Sequence, residues 1–384
     1  MRNFFSQGYR PFFLLAAINV CFSMIPWLLM LSGRNVPTQG WPPQSLHSHE
    51  MIYGTVVAVI AGFLLTAVPN WTSTERVSGL PLVVLVLLYM AGRAALALSG
   101  PIDPVWVAAI DVAFLPVLGV FIGWPILQSR NWRNLPVLGV LLGLMLANAA
   151  IHTGVLESSY ILLRAGTYSS VYLVVVLMMI ISGRVVPAFT RNALRRSGVE
   201  AVVSIRTILG PVAVGAACVA LVADLVMPRS IVGALLALVA APLLLVRQSG
   251  WQFGKTLGQP MLWILHVGHA WLAVGFACLG LARIFDIGIG AAALHAFTAG
   301  AMGTLILGIM PRVSLGHQGR PIEATPATVW MFALVIIGAM IRVVGASGPV
   351  GFYVPSLQIG GGLWTGAWIL FGLFYSRILF AARS

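Results

Sequence analysis

Residues 46–54 read LHSHEMIYG, and the apolar run TVVAVIAGFLLTAVPNW follows directly. The chain holds only seven histidines and nine acidic residues, so His47, His49 and Glu50 gather scarce chemistry into four positions. Imidazole ligates metals and carries protons near neutral pH. Glu50 has two readings: an acidic residue that favours the positive end of a helix dipole, or a metal ligand or proton relay beside the two histidines. A second pair, His266 and His269 in WILHVGHAWL, is three residues apart and so shares one helix face. Within a membrane span such a pair needs partners, which means either hydrogen bonds that hold helices together or a metal or haem. His295, in ALHAFTAGAMG, either donates to a backbone carbonyl or serves as an axial ligand. Its depth in its span resembles that of His49, and two imidazoles at matched depth are what an iron porphyrin needs.

Everything around these residues is membrane. The 384 residues are 59% hydrophobic and 8% charged, against roughly 25% charged in soluble chains. Apolar runs of about 20 residues, each enough to cross a hydrocarbon core of about 30 Å, recur from end to end. They predict an all-α polytopic bundle of twelve spans: 11–33, 50–70, 79–99, 104–127, 134–156, 163–184, 205–226, 230–247, 260–283, 289–311, 326–345 and 355–380. The bundle reads as a single integral membrane domain over residues 1–384. The longest connection is VVPAFTRNALRRSGVEAVVS, residues 185–204. The apolar N-terminal stretch is too long for a signal peptide, and no small-x-small cleavage site follows it.

The 22 basic residues, Lys255 the one lysine, are spread singly between apolar runs. That pattern excludes a nucleic-acid surface and sets an orientation, because positive charge resists translocation. With the N-terminus in the cytoplasm only Arg34, Arg93, Arg164, Arg229, Arg283 and Arg342 face outward. The other sixteen, Arg2, Arg206 and Arg383 among them, sit inside or at the inner edge. Both termini are therefore expected in the cytoplasm.

The three cysteines form no C-x-x-C or C-x-x-C-H, which argues against iron–sulfur centres and covalent haem and leaves them as packing residues. Asp111, Arg93 and Arg342 are embedded. Arg191 and Arg312, with Arg184, Arg320 and His317, mark inner-edge segments that fit either positive-inside topology or an anionic group such as a haem propionate or a quinone headgroup. The glycine run IGGGLWTG reads as a helix-packing surface.

Several segments together resemble the NnrS family of bacterial inner-membrane proteins: GYRPFFLLAA, HSHEMIYGTVVAVIAGFLLTAVPNWT, NWRNLPVLGVLLGLMLANAAIH, SGRVVPAFTRN, the H-x-x-H helix and LHAFTAGAMGTLILGIMPRVSLGHQGRP. The ordered set runs from residue 8 to beyond 320. The resemblance implies a twelve-helix protein with haem b and copper, tied to the bacterial response to nitric oxide. The site residues it brings forward are His49, His295 and His269 with Arg191 and Arg312 for haem, His47, His49, His266, His269 and His295 for metal, and Glu50 for protons. The leading expectation is a haem- or metal-containing redox protein acting on nitric oxide, with reduction to nitrous oxide by membrane quinol as one form that activity could take. A non-catalytic nitric oxide or haem binder and a transporter are the alternatives. By analogy, haem–copper oxidases also have twelve helices in three groups of four, with haem histidines on the second and tenth. His49 and His295 lie on those helices. The single histidine of LHAF leaves any copper cluster to His266 and His269.

Overall fold

The computed structural model describes residues 3–199, 202–205, 208–228, 230–285, 290–346 and 348–382. Arg2, Arg206, Arg229 and Arg383, which entered the charge comparison, lie outside them, as do expected helix positions 206, 207 and 289.

Twelve helices are long and apolar enough to cross a membrane, among the described residues. They are α1 Tyr9–Leu31, α2 Pro43–Thr72, α3 Leu80–Ala97, α4 Pro104–Gln128, α5 Trp132–Leu156, α6 Tyr160–Arg196, α7 Leu209–Val226, α8 Ile231–Ser249, α9 Pro260–Phe285, α10 Gly290–Gly316, α11 Pro326–Gly345 and α12 Gly351–Phe380. No strand interrupts the described residues. Only helices satisfy every backbone group within one apolar segment, so the composition leaves the chain little choice.

The helix starts follow local chemistry. Asp103 accepts from the Val105 amide at 2.8 Å with Pro104 at the first helical position, and Thr325 accepts from the Thr328 amide before Pro326. Most boundaries lie within about five residues of the hydropathy reading, and two differ more. α2 begins at Pro43, so the LHSHE stretch lies inside the helix rather than at its mouth. α6 continues to Arg196, absorbing much of the expected 185–204 connection. Hydropathy falls at Arg184, but Asn-Ala-Leu-Arg-Arg contains good helix formers, and a helix does not stop where its apolar face does.

Two helices contain π-helical turns. In α2 the π segment is Glu50–Val56, where Val57 N–H reaches back to the Ile52 carbonyl. In α10 it is Ala296–Met302, where Gly303 N–H reaches the Thr298 carbonyl. Each segment begins at the residue after a histidine, His49 in one and His295 in the other. Such segments are rare and frequent at functional sites.

The fold divides into two compact units, each discontinuous in sequence: Met1–Leu173 with Val313–Arg320 and Gly372–Ser384, and Val174–Arg312 with Pro321–Phe371. In the first, Tyr9, Phe12 and Phe13 of α1 are fully buried. A side chain at Gly62 of α2 would meet Phe12 and Phe13 at 3.0–3.1 Å, so glycine is what lets α1 and α2 approach. Tyr53 of α2 donates to the Leu144 carbonyl at 3.0 Å, and Tyr89 of α3 to the Gly54 carbonyl in the π segment. Arg10 donates to the carbonyls of Leu379 and Ala381, which fastens the C-terminal residues to α1.

In the second unit, α8 packs between α7 and α9. Glycines again set the close approaches. A side chain at Gly268 would meet Leu305, and one at Gly338 would come within 2.7 Å of the Gly360 carbonyl. Gly360 belongs to the IGGGLWTG run, which is thus a packing surface at that position. Cys21, Cys218 and Cys278 form no disulfide and are half-buried.

Candidate metal centres

The first unit assembles a polar cluster from four helices. His49 and Glu50 come from α2, Arg93 from α3, Asp111 from α4, and Asn148 and His152 from α5. Asp111 stands at its centre. Asp111 Oδ2 accepts from Asn148 Nδ2 at 2.9 Å and from His152 Nε2 at 3.0 Å, and lies 3.1 Å from His49 Nε2. Its other oxygen takes the Arg93 guanidinium, which also pairs with Glu50. His49, Asp111, Asn148 and His152 are all buried. Trp41 closes over the two imidazoles, with ring centroids 5.1 and 5.2 Å from His49 and His152.

Proton positions follow from the partners. Because Asn148 donates its amide hydrogen to Asp111, its oxygen faces His49 Nε2 at 2.9 Å, and an amide oxygen only accepts. His49 Nε2 therefore carries a proton. His49 Nδ1 lies 3.3 Å from Glu50 Oε1, an approach that is favourable only when one of the two is protonated. Glu50 and His49 thus share a place for a proton. With both carboxylates ionised, Glu50 and Asp111 face the single guanidinium of Arg93. One unit of negative charge then remains for a proton or a metal ion to balance.

His49, Asp111 and His152 are the one group of three such side chains, among the described residues, whose ligand atoms lie within 4.8 Å of one another. Tetrahedral ligands at about 2.0–2.1 Å from an ion stand about 3.3–3.4 Å apart. The 3.0 and 3.1 Å separations here need little expansion. Two imidazoles and one carboxylate suit iron(II), zinc or copper. Binding would displace the two Nε2 protons, which couples metal to proton release.

The second unit holds the H-x-x-H pair. His266 and His269 of α9 are fully buried and face α6, where Thr190 Oγ1 lies 3.0 Å from His266 Nε2 and Ser182 Oγ lies 2.8 Å from His269 Nδ1. Ser182 donates its one hydroxyl hydrogen to the Met178 carbonyl at 2.5 Å. It must therefore accept from His269 Nδ1–H. That fixes the tautomer: the lone pair of His269 is on Nε2, which is buried and has no hydrogen-bond partner among the described residues. His266 Nδ1 is likewise buried and has no hydrogen-bond partner among the described residues. A ring nitrogen held by a second partner while the other stands ready is the arrangement of a metal-bound histidine. Trp251 packs at 4.6 Å from the His269 ring, and Gln248 Nε2 donates to the His266 carbonyl at 2.8 Å. No other histidine, cysteine or carboxylate completes a group of three here among the described residues.

The remaining expected residues are distributed more widely. His295 Nδ1 donates to the Ala291 carbonyl at 2.8 Å, which leaves Nε2 as its lone-pair nitrogen when the ring is neutral. The His47 ring stacks on Trp27, with centroids 4.5 Å apart. Arg312 is buried, donates to the Met261 carbonyl and lies over Phe189, whereas Arg191 is exposed. Arg93, Asp111, Asn148 and His152 were not among the expected site residues. Each is an isolated polar residue in an apolar run. The one local signal is the i, i+4 spacing of Asn148 and His152, which places them on a common face.

Twelve apolar helices and a buried His/Asp cluster in the first unit define a multi-pass membrane protein with a candidate metal site, among the described residues. The profile of one family, described as NnrS protein, matches residues 3–383, essentially the whole chain. The chain belongs to the NnrS family, and membership suggests a role in the nitric oxide response. No curated protein matches it at a significant level.

Proposed function

We propose that this chain is a haem- or metal-containing redox protein that acts on nitric oxide in the bacterial inner membrane. In its fullest form the activity is reduction of two NO molecules to N2O and water, with two electrons and two protons from membrane quinol. The observation that carries the reading is the buried lone pair on His269 Nε2, whose tautomer Ser182 fixes. Leaving a buried polar nitrogen unpaired costs about 1–3 kcal/mol, a cost that ligation of a cofactor would remove.

Haem b at His269, with His266 and His295 as further candidate ligands in the same unit, or copper or iron at His49, Asp111 and His152, would supply the centre that binds NO and holds electrons. The chain's own residues do the rest. Ser182 and Thr190 aim the two imidazoles of α9, and Trp251 covers His269. Glu50 and His49 hold a proton between them beside Asp111. Nitric oxide is small and uncharged, so it partitions into the bilayer and reaches a buried site without a polar channel.

The test is a dithionite-reduced minus oxidised visible spectrum of the purified chain, with pyridine haemochrome and metal analysis. Sharp b-type bands at one or more haems per chain are expected. A chain that stays colourless and metal-free after expression with added haem and copper would remove the redox reading and favour a transporter. An NO electrode with reduced quinol then separates a reductase, which consumes NO continuously, from a binder that saturates.

The same proposal places both termini in the cytoplasm. In a cysteine-free background, a cysteine at Ser158 should react with an impermeant maleimide in spheroplasts. One at Ser197 should react only after lysis. The opposite pattern would invert the topology.

A further inference from the structure

The first unit also contains a cavity of about 490 Å³ that no step above uses. It lies among α1, the start of α2, α3 and the connection that includes Val36 and Gln39. Its size is within the range of about 300–1,000 Å³ that holds small-molecule ligands. The walls are apolar, with Leu15, Pro26, Met30 and Ala97 among them, and Ile18, Phe22 and Met90 are exposed along it. Phe22 is 77% exposed, so in a bilayer this rim meets lipid, and a ligand can enter sideways.

The polar lining is specific. Glu50 and Arg93 both line the cavity, and they are paired to each other. Arg93 is also shared with Asp111, so no free positive charge is left here for an anionic headgroup. Arg93 Nε is buried and has no hydrogen-bond partner among the described residues, while the Glu50 carboxylate only accepts. A ligand oxygen that both accepts and donates, as a hydroxyl does, answers the two together. The stacked rings of His47 and Trp27, inclined by 15°, add a flat wall suited to an aromatic ring.

We propose that this cavity binds the ring of a membrane hydroquinone, with one ring hydroxyl against the Glu50–Arg93 pair and the isoprenoid chain leaving past Phe22 into the bilayer. A phospholipid fits less well, because its phosphate would meet the Glu50 carboxylate with no unpaired cation to offset it. Glu50 is also the residue that shares a proton site with His49, so one carboxylate joins the cavity to the Asp111 cluster. The assignment deepens the redox reading by locating its electron donor, and it is tested by binding so that the two can fail separately.

The experiment is photolabelling of the full-length chain in nanodiscs with an azido-quinone, with labelled peptides mapped by mass spectrometry. Saturable labelling confined to α1, α3 and the start of α2 is expected, displaced by a short-chain quinone and not by added phosphatidylglycerol. Ala94→Phe, whose exposed small side chain lines the cavity, should weaken binding about tenfold or more. Leu142→Phe, exposed on α5 and away from the cavity, should leave it unchanged. Glu50→Gln should weaken it as well, without filling the space. Labelling that spreads unsaturably over lipid-facing helices, yields to phospholipid, or ignores both Ala94→Phe and Glu50→Gln would overturn the assignment. Saturable labelling of a haem-free and metal-free chain would keep the cavity and sink the redox reading. A haem-containing chain without saturable labelling would do the reverse.

Discussion

Ser182→Ala is expected to lower haem or metal retention by about 10- to 100-fold, the usual cost of losing a partner that orients a ligating histidine, and His269→Ala to abolish it at that centre. Ser182 touches no cofactor in this proposal. It acts by accepting from His269 Nδ1–H, because its own hydrogen is committed to the Met178 carbonyl. Ser182→Thr keeps the hydroxyl and should restore most of the retention. The measurement is haem and metal content per chain, followed through a titration that returns the cofactor to the stripped protein. A merely structural serine would behave differently: alanine and threonine would alter folding alike, with unchanged affinity in whatever folds. Full retention in His269→Ala would remove α9 from the list of ligands.

The second large effect concerns Asp111. It accepts from Arg93, Asn148 and His152, and His49 lies against the same oxygen. Asp111→Ala removes the acceptor for all of them at a buried position. Breaking such a buried charge pair costs about 3–5 kcal/mol. The expected result is a marked fall in the thermal unfolding temperature of the metal-free protein in detergent, or failure to accumulate in the membrane. Arg93→Met combined with Asp111→Ala should deepen the loss, because it removes the cation that Glu50 still pairs with once Asp111 is gone; partners in direct contact couple by about 0.5–3 kcal/mol. The isosteric Asp111→Asn asks a separate question. In the parent, adding iron(II), copper or zinc should raise the unfolding temperature by mass action, and in Asp111→Asn it should not. If Asp111→Ala unfolds like the parent, the cluster is not a buried network. If Asp111→Asn responds to metal as the parent does, Asp111 is no ligand.

The contrast between the two centres shows what a sequence carries and what it conceals. Span number was legible because each helix must be apolar over its whole length, and nothing else competes with that requirement. The His266–His269 pair was legible for a related reason: both residues lie on one helix, and a spacing of three fixes their common face. Asp111 was visible as a charge in a membrane span, yet its partners were not. They come from α2, α3 and α5, and no periodicity relates residues on separate helices. Ser182 and Thr190 were hidden more deeply, since hydroxyls in a membrane helix ordinarily bond back to their own backbone. Ser182 does this too, and its second role emerges only once α9 is packed against α6. The start of α2 was misplaced because hydropathy measures where a helix is apolar, not where it begins.

The two π-helical segments have one more consequence. Each inserts one residue beyond what an α-helix would need for the same rise, and one residue corresponds to about 100° of rotation. The side chains before Glu50–Val56 and Ala296–Met302 are therefore out of phase with those after them. His49 and His295 each stand at the boundary of such a phase change. Each can address one set of neighbours while the rest of its helix addresses another, and no change of side chain could undo that. Only a change in the number of residues would.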